Sequence, residues 1–114
     1  MSFKEVHDLE TRKKESNKIV FKYPGRIPVI VERSKICELP DISKKKYLVP
    51  KDLTMSQFIY IIRKRIDLQS SQSLFVTVNN NLAPTNRLLG DIYEDNVNED
   101  GFLYMVYTSE NTFG

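Results

Sequence analysis

The sequence predicts an α+β domain, with two short helices leading into two strands, a helix and two further strands. Three observations carry this. Helix caps and breakers punctuate the first 25 residues. Short β-branched runs recur from Arg26 onward. One strongly amphipathic helix stands between the second and third of those runs.

Ser2 with Glu5 three residues later has the spacing of a capping box, so a short first helical turn is expected there. A second helix is predicted over residues 11–21, with Ile19, Val20 and Phe21 at its apolar end. Tyr23-Pro24-Gly25 ends it, because the residue before proline avoids helix and glycine tolerates positive φ. Helices this short need a surface to pack on.

The segment RIPVIVER, Arg26–Arg33, reads as a strand, with Ile27, Val29 and Val31 on one face and Pro28, Ile30 and Glu32 on the other. A second strand is predicted over residues 45–50, where Lys46 and Leu48 oppose Tyr47 and Val49. Its lysines and closing Pro50 suit a sheet edge. The next helix is predicted over residues 55–66. Thr54 and Gln57 form a capping box, Met55, Phe58, Ile59, Ile62 and Ile66 share a face, and Arg63, Lys64 and Arg65 oppose the dipole in the last turn. A strand over 74–78, an Asn79-Asn80-Asn81 turn, a short helix over 88–93 and a final strand over 102–108 complete the order. After the first two helices this is a β-grasp order, and the crossover helix lets the strands it joins lie parallel and adjacent.

With 114 residues the chain is one domain by length, and 40% apolar with 28% charged residues is ordinary for a globular fold. Its longest apolar run has six residues, Phe102–Tyr107, far short of a membrane span. The single Cys37 excludes an intrachain disulfide and fits a reducing compartment such as the cytosol. The net charge of +2 hides an asymmetry: residues 1–26 carry net +3, residues 27–90 net +5 and residues 91–114 net −6. A basic body suits acidic peptides or an anionic membrane surface, while the acidic end opposes nucleic acid.

The inventory argues against catalysis. The one histidine, His7, lies in a polar stretch and reads as solvated; Cys37, thirty positions away, lacks a base and reads as a loop or buried thiol. One His and one Cys make no metal site, and four scattered glycines make no phosphate loop. Asp95, Glu99 and Asp100 lack calcium-loop spacing and read as solvated. No catalytic residue, metal or cofactor is predicted.

Two features remain. The tail Ser109–Gly114 follows a strand, has no apolar periodicity and extends roughly 20 Å at about 3.3 Å per residue. Its terminal glycine suits a carboxylate that must enter a narrow enzyme channel. The second feature is the Pro28 and Ile30 face of the first strand. The N-terminal helices either cover it or leave a groove beside the 45–50 edge, where an extended peptide can add as a strand.

The segments RIPVIVE at 26–32, KKKYLVPKDLTMSQFIYIIRKRI at 44–66, LFVTVNN at 74–80 and DGFLYMVYTSENTFG at 100–114 resemble the autophagy-related protein 8 family, which includes the GABARAP-type proteins. The resemblance runs over nearly the whole chain from Phe3. It implies a ubiquitin-like β-grasp core over 26–109, a helical extension over 1–25 packed on that core, and a flexible conjugation tail over 110–114. It implies transfer by ubiquitin-like activating and conjugating enzymes and linkage of Gly114 to phosphatidylethanolamine. The protein is then cytoplasmic, and on the autophagosome membrane when lipidated. A cysteine protease acts in processing or delipidation; members usually carry residues beyond the glycine, whereas this chain stops at Gly114.

Autophagy receptors and adaptors with an aromatic-x-x-aliphatic motif are the implied partners. The aromatic-side pocket maps onto Glu15, Ile19, Pro28, Ile30, Lys46, Leu48 and Phe102, and the aliphatic-side pocket onto Tyr47, Val49, Pro50, Leu53, Phe58 and Ile61. Arg26 and Arg65 match basic positions at the rim. Phe75, Val76 and Thr77 match a second docking region, with Thr77 more polar than the family pattern. The alternative is a β-grasp peptide-binding module that is never conjugated.

Overall fold

A computed structural model describes residues 1–109. The capping box at Ser2 forms: its Oγ accepts from the Glu5 N–H at 3.2 Å, and Glu5 Oε1 accepts from the Ser2 N–H at 3.0 Å. It starts a single helical turn, α1, Phe3–Val6. Helix α2, Leu9–Lys22, begins two residues earlier than the sequence predicts, because Asp8 caps it by accepting from the Thr11 N–H at 2.9 Å. Both capping carboxyls, Glu5 and Asp8, are held below the ordinary carboxylate range, chiefly by the Ser2 and Thr11 hydrogen bonds respectively.

The strands are β1, Arg26–Arg33; β2, Lys46–Pro50; β3, Phe75–Val78; β4, Asn81–Leu82; and β5, Leu103–Thr108. Helix α3, Met55–Arg65, follows β2, and helix α4, Leu89–Asn96, precedes β5. The predicted β1 and the start of α3 match residue for residue; Thr54 Oγ1 accepts from the Gln57 N–H at 3.2 Å and the reciprocal bond is present. Strand β4 is not predicted. Asn79 and Asn80 both take positive φ, 51° and 65°, so the turn needs only those two residues and Asn81 pairs back on Val78. Helix α4 has no side-chain cap. Its first N–H groups are taken instead by the loop after β2, Leu89 by Leu53 O at 2.8 Å and Gly90 by Lys51 O at 2.9 Å, and it runs to Asn96, past the predicted end at 93.

The sheet order is β2-β1-β5-β3-β4. Strand β1 is antiparallel to β2 and parallel to β5. This corrects one expectation. The crossover helix α3 joins β2 to β3, which are not adjacent, since β1 and β5 lie between them. The parallel adjacent pair is β1 with β5, the first and last strands.

One face of the sheet carries Ile27, Val29, Val31, Leu103, Met105 and Tyr107, all at most 1% exposed, and the apolar sides of α3 and α4 close that core. The β1–β2 connection contributes Cys37, Leu39 and Ile42 to it. On the other face α1 and α2 cover β1 and β5: Ile30 and Phe102 are fully buried, and Phe3 packs edge-on to Phe102 at 5.2 Å. Phe3 N–H also donates to Glu32 Oε2 at 2.9 Å, fixing α1 to β1.

Asp100 corrects the reading of the acidic end. Its side chain is completely buried and paired with Arg12 at 2.6 Å. It also accepts from the Tyr104 hydroxyl at 2.5 Å and the Phe102 N–H at 2.8 Å. His7 departs from a solvated reading too: it is half-buried, with its ring 4.7 Å from that of Phe3.

Candidate peptide-binding groove

Helix α2 covers β1 but stops short of β2, and the space left is a groove of about 910 Å³. One wall is α2, with Lys14, Glu15, Lys18, Ile19 and Lys22; the other is β2 and its approach, with Lys44, Lys46 and Leu48. Tyr23 and Arg26 close one end. The strand alternation explains the second wall. Tyr47 and Val49 point into the core, so Lys46 and Leu48 point outward.

The groove is electropositive, and its one acid is engaged: Glu15 Oε1 pairs with Lys46 Nζ from α2 to β2. Lys14, Lys18 and Lys22 follow at four-residue intervals, which puts all three on one stripe of α2. That spacing was legible in the sequence and marks groove residues that the predicted set omits.

Strand β2 is the sheet edge. The Val31 N–H bonds to Lys45 O at 2.7 Å, and the β1–β2 register then turns the Lys46 and Leu48 backbone groups away from β1, toward the open side. Arg26 Nη1 donates to Leu48 O at 3.0 Å, so a guanidinium occupies the carbonyl that an added strand would use.

The structure therefore brings Glu15, Ile19, Arg26, Lys46 and Leu48 together. Pro28, Ile30 and Phe102 are buried under the N-terminal helices. On the aliphatic side Tyr47, Val49 and Phe58 are core residues, at 6%, 4% and 1% exposure, and the Tyr47 and Phe58 rings meet edge-to-face at 5.6 Å. Pro50 and Leu53 are half-buried and Ile61 is exposed, so these three reach the surface. Arg65 is exposed in the last turn of α3, and its charge opposes the burial that raises the Tyr47 hydroxyl pKa. At the positions expected to form a second docking region, Phe75 is half-buried, whereas Val76 and Thr77 are buried. Gly114 lies outside the described residues. Among the described residues no helix is long and apolar enough to cross a membrane.

Matched against family models, residues 11–114 fit the family described as Autophagy protein Atg8 ubiquitin like. The chain belongs to the Atg8 family. Among its relatives, Autophagy-related protein 8B of Oryza sativa subsp. indica and Autophagy-related protein 8c of Arabidopsis thaliana are each 57% identical over 113 residues, covering 99% of this chain and 95% of the relative. Among solved structures, Plasmodium falciparum Atg8 in complex with a Plasmodium falciparum Atg3 peptide superposes with a TM-score of 0.90 at 39% identity, covering 96% of this chain and 97% of that one. Trypanosoma brucei ATG8 superposes with a TM-score of 0.91 at 38% identity, covering 100% and 98%. The fold is thus the α+β, ubiquitin-like architecture of the Atg8 family, and the chain is an autophagy-associated ubiquitin-like protein.

Proposed function

We propose that this Atg8-family chain is a conjugated adaptor rather than a catalyst. Gly114 is joined to phosphatidylethanolamine, and receptors carrying an aromatic-x-x-aliphatic motif dock in the groove between α2 and β2. The observation that carries the reading is an apolar floor, Ile19 and Leu48, set beside an edge strand and rimmed by lysines. Such a site takes an extended peptide by strand addition, with one side chain buried in the groove and acids at its flanks. The Plasmodium relative bound to an Atg3 peptide supports peptide and conjugating-enzyme partners here as well. The aliphatic side chain of the motif meets Pro50, Leu53 and Ile61, the members of that set with exposed surface.

A paired assay on one purified preparation tests both halves. Peptide titration of the chain should give micromolar affinity, about −8 kcal/mol. Incubation with the family's activating and conjugating enzymes and phosphatidylethanolamine vesicles should add the lipid mass at Gly114, and Gly114→Ala should abolish that adduct while leaving peptide affinity unchanged. Peptide binding without any thioester or adduct would leave an unconjugated binding module; conjugation without peptide binding would move the docking site elsewhere.

A further inference from the structure

The last turn of α2 exposes one large apolar side chain, Phe21, that neither the core nor the groove uses. Phe21 is 90% exposed, and it is neighboured by Val20 at 43% and Tyr23 at 38%. A phenylalanine this exposed on a helix gains nothing from burial within the domain. Along α2 its nearest charges are basic, whereas Val20 on its other side faces a groove that holds Asp52, Asp91 and Glu94. Lys18 and Lys14 stand three and seven residues before it, which places them on its side of the helix, and Lys22 is next to it; all three are exposed. Glu10 shares that side only from eleven residues away, about 16 Å along the axis.

We infer that this face of α2, with Phe21 at its tip and Lys14, Lys18 and Lys22 beside it, docks on an anionic lipid surface. An apolar tip flanked on one side by lysines matches the boundary between acyl chains and negative headgroups, where the ring sinks in and the ammoniums stay among the phosphates. Phe21 projects from the helix surface and lines none of the four best-formed grooves among the described residues. A rigid protein partner needs a matching socket for such a tip, whereas a bilayer deforms around it. Charge opposes a second copy of the chain in its groove, because the groove carries the same three lysines. The contact lies away from the end of β5. Helix α2 runs into β1 at Arg26, whereas the parallel β5 ends at Thr108 alongside the far end of β1, so the two lie at opposite ends of the sheet.

The chain has no tryptophan, so Phe21→Trp introduces a single reporter. The full-length, unconjugated variant is mixed with vesicles of phosphatidylserine and phosphatidylcholine. The emission of the indole should shift to the blue and be quenched by brominated acyl chains. Both effects should vanish on pure phosphatidylcholine and weaken in high salt. Tyr60→Trp, at a 59%-exposed site on α3, should show neither effect. In a sedimentation assay Phe21→Ser should lower vesicle partitioning about fivefold with its circular dichroism and its groove-peptide affinity unchanged. No shift at position 21, an equal shift at position 60, or a shift that persists on uncharged vesicles would overturn the inference. Loss of self-association in Phe21→Ser without any vesicle binding would assign the face to a second copy instead.

Discussion

Arg12 Nη1 lies 2.6 Å from Asp100 Oδ2, an ion pair that joins α2 to the turn before β5 across 88 positions of sequence. The Ser16 hydroxyl reinforces it from the same helix, donating to the Asp100 carbonyl at 2.5 Å. Together they hold the helix that forms one wall of the groove. The Asp100 hydrogen bond is also the main reason the Arg12 guanidinium pKa is raised.

Asp100→Ala should therefore be costly. It leaves the Arg12 charge, the Tyr104 hydroxyl and the Phe102 N–H without their acceptor, and breaking a buried pair from one side costs about 3–5 kcal/mol. Asp95→Ala removes the exposed partner of Arg87 and should cost about 0–1 kcal/mol. Urea denaturation of both variants checks the contrast; equal losses would mean that the Asp100 network is not what docks α2.

Gly101 is required for two reasons. Its φ is +90°, and a Cβ there would lie 2.3 Å from Ser16 Oγ. Gly101→Ala should destabilise by about 2–4 kcal/mol, with the coupled Ser16→Gly recovering part of the clash. Gly25→Ala, where a Cβ meets nothing within 4 Å, should be neutral or stabilise by about 0.4–1 kcal/mol. Thermal melts of the three variants measure the difference.

Adjacent residues of β2 should separate fold from binding. The Tyr47 hydroxyl is buried without a hydrogen-bond partner, so Tyr47→Phe should leave stability equal or higher, while Tyr47→Ala should cost about 3–5 kcal/mol. Leu48→Ala should stay folded and lose at least about tenfold in peptide affinity, 1.4 kcal/mol. Calorimetric titration beside denaturation reads both; intact binding in Leu48→Ala would place the peptide elsewhere.

Freeing Lys46 should favour acidic ligands. Glu15→Gln removes its partner across the groove, so an acid-flanked peptide should bind more tightly by about 0–1 kcal/mol, and the gain should fade in high salt. A neutral-flanked peptide should be indifferent. Salt-independent tightening would show that the pair acts by shape and not by charge.

Stability should fall in alkali. Burial raises the Tyr107 hydroxyl pKa to about 12, and burial with the Asp100 hydrogen bond raises that of Tyr104 as well. A raised folded-state pKa means the stabilisation is fully present below the unfolded value of about 10 and is lost as pH rises past it toward 12. Tyrosinate absorbance should show late-titrating rings, and Tyr107→Phe should remove one of them.

What the sequence determined by itself is local. Ser2 with Glu5 and Thr54 with Gln57 encode helix starts within three residues, and the alternation of Arg26–Arg33 and Lys46–Pro50 sorts each strand into two faces. Alternation put Lys46 and Leu48 on one face, and the family resemblance alone grouped them with Ile19, beside which the fold sets them. Tertiary structure decided what depends on distant segments meeting. Asp100 sits in an acidic stretch that reads as solvated, and only the docking of α2 gives it Arg12 and makes its burial tolerable. Helix α4 begins at Leu89 because the Lys51–Leu53 loop satisfies its first N–H groups. Strand alternation and helical spacing set Tyr47, Val49 and Phe58 on apolar faces, but only the packing of α3 beneath β2 makes them core rather than surface residues. Caps and alternation are set by neighbours a few bonds away, whereas burial is set by which elements the topology stacks together.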